Sequence, residues 1–143
     1  MARLTLDAAG PAAPATVWER YVRVDRWASW SPQIRAVHTD ALYITPALEG
    51  TVESFAGLRI PFVVESVDHQ LRTWVWRVRL GPVRLRLHHA VRPDPLGSST
   101  GLTMYGPLPV LAGYAPLARL ALRRAVRPLN LLTRTVTAAA PWS

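Results

Sequence analysis

Four histidines, His38, His69, His88 and His89, are the side chains of this sequence best suited to moving a proton near neutral pH. Their spacing narrows the chemistry. No His-x-x-x-His or Glu-x-x-His pair occurs, so no metal site is expected. There is no cysteine, which excludes thiolate nucleophiles, disulfides and cysteine-based zinc sites. No glycine-rich phosphate loop, Gly-x-Ser-x-Gly elbow or dinucleotide fingerprint is expected, so no cofactor is expected and the serine-hydrolase class finds no support. Glu53 and Glu65 lie in strand-like segments and are expected on an outer face, which argues against paired carboxylates. His89 is the first choice for chemistry.

The element that positions His89 is a hairpin turning at Gly81-Pro82. A two-residue turn there pairs Leu80 with Val83, Val78 with Leu85, Trp76 with Leu87 and Trp74 with His89. These side chains share one apolar face. The other face pairs Arg79 with Arg84 and Arg77 with Arg86, which repel unless solvated or neutralised by Glu65 or a bound anion. The apolar face must therefore be the concave one that meets the C-terminal helix. Carrying the register outward adds Ile60, Phe62, Val64 and Ser66 on one side and Leu102 and Met104 on the other, although a one-residue slip would invert either extension.

Further strands are expected at 2–8, 35–44, 50–56, 58–67, 72–80, 83–92 and 99–105, with hairpin-length breaks that imply a curved antiparallel sheet. Pro14 suits the first turn of a helix carrying Val17, Trp18, Tyr21 and Val22. Asp25 or Ser31 is expected to cap a second, short helix. From Leu111 to Val136 apolar residues recur every three or four positions, which predicts a long closing helix. Pro116 is expected near its start, and Pro128 should kink or break it near Val126–Arg127. The fold class is α+β, in one domain over residues 1–143.

Half the residues are apolar and 18% are charged, with a mean hydropathy of +0.10. That excludes general disorder. All 17 basic residues are arginine, against 9 acidic ones, for a net charge of +8. Genomic base composition alone can produce that bias; an anionic partner is the functional alternative. Arg119, Arg123 and Arg127 lie on the polar side of the closing helix, and Arg59, Arg77, Arg79, Arg84 and Arg86 on the outer sheet face. No aromatic residue is interleaved with either set, which argues against nucleic acid. No apolar leader or membrane-spanning window is apparent, so the cytosol is the expected compartment.

The stretch from Ala15 to Ile34, with Val17-Trp18, Asp25 and Trp27-x-x-Trp30-x-Pro32-x-Ile34, resembles the opening of START-like proteins of the polyketide cyclase/dehydrase type. Leu48-Glu49-Gly50, Val64 to Asp68, the tryptophan-bearing strand, His89 with Val91, and Gly97-x-x-Thr100 continue the resemblance over nearly the whole chain. It implies a helix-grip fold: a curved antiparallel sheet of about seven strands around a long C-terminal helix, with two short helices after the first strand. It also implies a deep cavity for a hydrophobic small molecule.

Under that resemblance His89 faces inward as an acid/base catalyst, the competing reading being a core histidine satisfied by backbone or water. Tyr43 is the second catalytic candidate, as a proton donor to an enolate or alkoxide, provided that it points inward. Trp74 and Trp76 would stack on a flat ligand or simply fill the core. Phe62, Ser66, Leu87, Thr100, Leu102 and Met104 are further substrate contacts. Trp27 and Trp30 would flank the entrance, with Trp30 touching substrate, and Trp18 would anchor the first helix. The leading expectation is a cofactor-independent cyclase or dehydratase that folds its substrate and shuttles a proton. The alternatives are a non-catalytic carrier of a lipid, quinone or pigment, and an arginine-rich protein that associates with a membrane surface or nucleic acid. An acyl carrier protein or an anionic membrane is the implied macromolecular partner.

Overall fold

The computed structural model describes residues 2–54 and 56–127. The chain forms β1 (Ala2–Gly10), α1 (Pro14–Val22), a 3-10 turn (Val24–Arg26), α2 (Trp27–Trp30) and β2 (Ile34–His38). It continues with β3 (Glu49–Ser54), β4 (Arg59–Asp68), β5 (Thr73–Leu80), β6 (Val83–Asp94), β7 (Gly97–Gly106) and α3 (Leu108–Ala125). The strands make one antiparallel sheet in the order β1-β7-β6-β5-β4-β3-β2. This is the expected helix-grip arrangement.

The central hairpin has the register that its sequence dictates. Leu80 pairs with Val83, Val78 with Leu85, Trp76 with Leu87 and Trp74 with His89. Gly81 takes φ +59°, which lets the two-residue turn match the twist of its strands. Leu102 and Met104 pair with His89 and Leu87, so that extension holds as well. On the outer face Glu65 lies 3.2 Å from both Arg77 and Arg86, which relieves their mutual repulsion. Arg79 and Arg84 remain exposed.

Several expectations are corrected. Ser66 is exposed, because the β4–β5 register shifts between Val64 and Ser66. The irregularity inserts one residue, so Val67 rather than Ser66 pairs with Trp74. The second strand stops at His38 instead of reaching 44. Neither Asp25 nor Ser31 caps α2: Asp25 is held by a two-pronged bond to Arg23, at 2.7 and 2.8 Å, and Ser31 follows the last turn. Pro116 lies inside α3, not near its start. It sits on the exposed side, where water can serve the carbonyl that loses its partner. Positions 128–136, with the kink expected at Pro128, lie outside the described residues.

Helix α3 buries Leu111, Ala118, Ala121, Leu122 and Ala125 along one stripe. Three of these five are alanines, which let the helix come close to the sheet. It lies mainly over β1 and β7, while the short α2 packs beside β2, so α3 itself leaves the opposite half of the concave face uncovered. That asymmetry makes room for a cavity.

The far end of α3 is held by an unexpected residue. Arg20, buried on α1, donates Nη1 hydrogen bonds to the carbonyls of Ala125 at 2.6 Å and Arg127 at 2.7 Å. A helix C-terminus has unsatisfied carbonyls and a partial negative charge, so a cation there is favourable. Arg20→Met should therefore lower unfolding stability by about 2 kcal/mol, as read by urea denaturation, because charged hydrogen bonds are lost and carbonyls stay buried. An unchanged midpoint would show that water replaces the guanidinium at no cost.

Candidate functional site

Between α3 and the β2–β6 side of the sheet lies a cavity of about 270 Å³. Its walls come from Ile34, Val52, Ile60, Trp76, Val78, Leu85 and Leu87, with Gln33 and Tyr114 at one side. Leu58 and Leu117, both exposed, stand at its edge. A smaller space of about 30 Å³ adjoins it and shares the Gln33, Ile34, Trp76, Leu87 and Tyr114 wall. His89, Trp74, Trp30 and Leu102 line that inner space. Among the described residues no Arg, Asp or Glu lines either one.

The inner space is walled by stacked rings. The His89 imidazole lies parallel to Trp74, with centroids 4.7 Å apart and planes 10° apart. Trp74 stacks in turn on Trp76 at 5.2 Å. Trp27 contacts Phe62, Trp74 and Trp76, and Tyr21 contacts Trp30, Trp74 and His89. Alternation in β5 and β6 puts the rings of Trp74, Trp76 and His89 on one face, and α1 and α2 press theirs down on it.

His89 has no hydrogen-bond partner on either ring nitrogen among the described residues. Burial pushes its pKa down to about 3, with a smaller contribution from neighbouring His88. It is a neutral imidazole at pH 7. The indole N–H groups of Trp74 and Trp76 and the Oε1 of Gln33 are likewise buried without partners. Gln33 Nε2 donates to Tyr114 Oη at 2.7 Å. Burial raises the Tyr114 pKa, so that phenol stays protonated.

The structure brings together Trp30, Trp74, Trp76, Leu87, His89 and Leu102 from the sequence-predicted set. It separates others. Tyr43 is 52% exposed, beyond the end of β2, and its ring meets the Arg23 guanidinium at 5.3 Å. It does not reach the cavity, because the strand that would have turned it inward has already ended. Thr100 is fully buried but bonds to Tyr21 Oη at 2.5 Å and to the Ala90 carbonyl at 3.1 Å. Phe62 and Met104 are core residues beside the cavity, not part of its walls. Trp27 and Trp30 are buried rather than at an entrance, with their indole N–H groups on the carbonyls of Tyr21 and Arg20. Trp18 does anchor α1, donating to His69 Nδ1 at 3.2 Å. His38 sits outside, 3.0 Å from Glu53.

Gln33 and Tyr114 were not foreseen as site residues. The available signal was a phenol on the apolar stripe of the closing helix. A further correction concerns Gly97-Ser98-Ser99-Thr100-Gly101, which does carry the Gly-x-Ser-x-Gly spacing of a nucleophile elbow. It lies wholly within extended β7, not at a strand-to-helix turn, so the elbow geometry is missing.

Residues 1–138 match the family model described as polyketide cyclase / dehydrase and lipid transport. The chain belongs to that family. No curated protein sequence matches it. Solved structures similar to this polyketide cyclase/dehydrase and lipid transport family member share its fold at low identity. Ara h 8.0201 is 11% identical, with a TM-score of 0.72 over 87% of this chain and 95% of its own. XoxI from Bacillus cereus is 13% identical, with a TM-score of 0.75 over 87% and 93%. The di-domain ARO/CYC BexL from the BE-7585A biosynthetic pathway is 14% identical, with a TM-score of 0.74 over 88% of this chain and 46% of its own. Among the described residues no helix of this family member is long and apolar enough to cross a membrane.

Proposed function

We infer that this protein takes an apolar small molecule into the space between α3 and the open half of the sheet. Holding and shaping that molecule is its work, not proton transfer by His89. The observation that carries this reading is the 270 Å³ cavity with an almost wholly apolar wall. A pKa of about 3 makes His89 a weak base at neutral pH, and no carboxylate orients it among the described residues. Carriage of a lipid, quinone or pigment needs only the cavity.

Cyclisation or dehydration of a polyketide-like substrate is the second reading. The unpartnered Trp74 and Trp76 N–H groups and Gln33 Oε1 favour it, since they could hold polar groups of a folded chain. The fold likeness to an ARO/CYC protein supports it as well. In that case catalysis would rest on confining a flexible substrate in a reactive conformer.

Native mass spectrometry of freshly purified protein is expected to show a retained apolar molecule. Protein that is empty and takes up no apolar probe would overturn the reading. If turnover of a substrate is found, His89→Phe should preserve it, whereas a loss of about 100-fold or more would return His89 to an acid/base role.

A further inference from the structure

Among the described residues, unpartnered polar atoms occur in both parts of the cavity: Trp74 Nε1 and the two His89 ring nitrogens in the inner space, and Gln33 Oε1 and Trp76 Nε1 on the wall that the two parts share. Gln33 Nε2 is committed to Tyr114 Oη, so the tyrosine oxygen is an acceptor in that bond and keeps its own proton for donation. Gln33 Oε1 meets no donor among the described residues and is sealed from solvent. Trp76 Nε1, a donor only, also lacks a partner among the described residues and belongs to the same wall. The wall therefore offers two unused donors and one unused acceptor. Such groups are costly to bury unless something else satisfies them. Among the described residues no Arg lines the space, although the chain carries 17 of them; those on the central hairpin are exposed on its outer face.

Resting on the binding function above, we propose that Gln33, Tyr114 and Trp76 form the polar end of the binding site. They select an uncharged ligand whose carbonyl is flanked by a hydroxyl or an N–H. The carbonyl accepts from Tyr114 and Trp76, and the flanking group donates to Gln33 Oε1. A carboxylate fits badly. It would lose its water with no cation beside it, and it would set a negative oxygen against Gln33 Oε1. An apolar cavity of about 150 Å³ holds benzene, so the space here suits a body of roughly two rings.

The test compares naphthalene, 2-naphthamide and 2-naphthoate by equilibrium dialysis at pH 7.5. All three present the same rings. The amide is expected to bind about tenfold more tightly than naphthalene, and the carboxylate at least about tenfold more weakly than the amide. Gln33→Leu and Tyr114→Phe should each bring the affinity for the amide down to near that for naphthalene measured on the same variant, with circular dichroism and thermal melting reporting that the fold is intact. Naphthoate equal to or tighter than the amide would overturn the proposal, as would an amide no tighter than naphthalene; in both cases the apolar-cavity reading stands. Failure of naphthalene itself to bind would overturn that reading, and this proposal with it.

Discussion

Acidification from pH 7 to pH 4 is expected to cost the wild-type protein about 3 kcal/mol more stability than the His89→Phe variant. The sign follows from where the proton goes. In the folded chain His89 stays neutral until its pKa of about 3. The unfolded chain takes up a proton on this residue below about pH 6.5. Between those values the unfolded state binds more protons, so stability is full above the upper one and is lost as pH falls toward the lower one. The carboxyls of Asp25 and Glu53, held low chiefly by bonds to Arg23 and His38, also lose stabilising bonds in acid, but they do so in both proteins. Urea denaturation at a series of pH values isolates the difference. At pH 7 the variant should be at least as stable as the wild type, since a phenyl ring can take the stacked place on Trp74 and two unpartnered nitrogens disappear. Parallel pH profiles would mean that the imidazole reaches water within the fold.

Val78→Trp should weaken uptake of naphthalene at least about 30-fold, or about 2 kcal/mol. Val78 lines the cavity and pairs with Leu85, so an indole at this position enters the empty space rather than the packed core. Overpacking a filled core commonly costs about 1–3 kcal/mol, but a void should absorb most of that strain. Circular dichroism and thermal melting are expected to stay close to the wild type while dialysis shows the loss of binding. Retained affinity in a folded variant would place the ligand elsewhere.

What the sequence made legible follows from how each element encodes its geometry. Gly81-Pro82 allows one tight turn, so parity along both of its strands was determined, and Trp74, Trp76, Leu87 and His89 fell on the correct face. The irregularity beside Glu65 carries no glycine or proline to announce it, so simple alternation puts Ser66 on the wrong face. Tyr43 failed for a related reason: alternation suggests a strand but says little about where pairing ends. The Gln33–Tyr114 bond joins residues 81 apart in sequence, and no local pattern encodes such a contact. Arg20 left a faint trace, a charged residue three places after Val17 on the buried stripe of α1. Alternation along β7 turns Thr100 inward, but its hydroxyl is spent on Tyr21 and a backbone carbonyl.

The edge pairing of β1 with β7 also governs how the chain reaches this structure. Ala2 must find Gly106, and Arg20 must find the carbonyls of Ala125 and Arg127, before the two ends of the domain close. Searching for partners that far apart carries a loop-closure cost that no local contact repays in advance. The β5–β6 hairpin, with its two-residue turn and stacked rings, can assemble early. The β1–β7 seam is expected to form late, which makes refolding slow for a domain of this length. Mutations at the seam should then speed unfolding more than they slow folding.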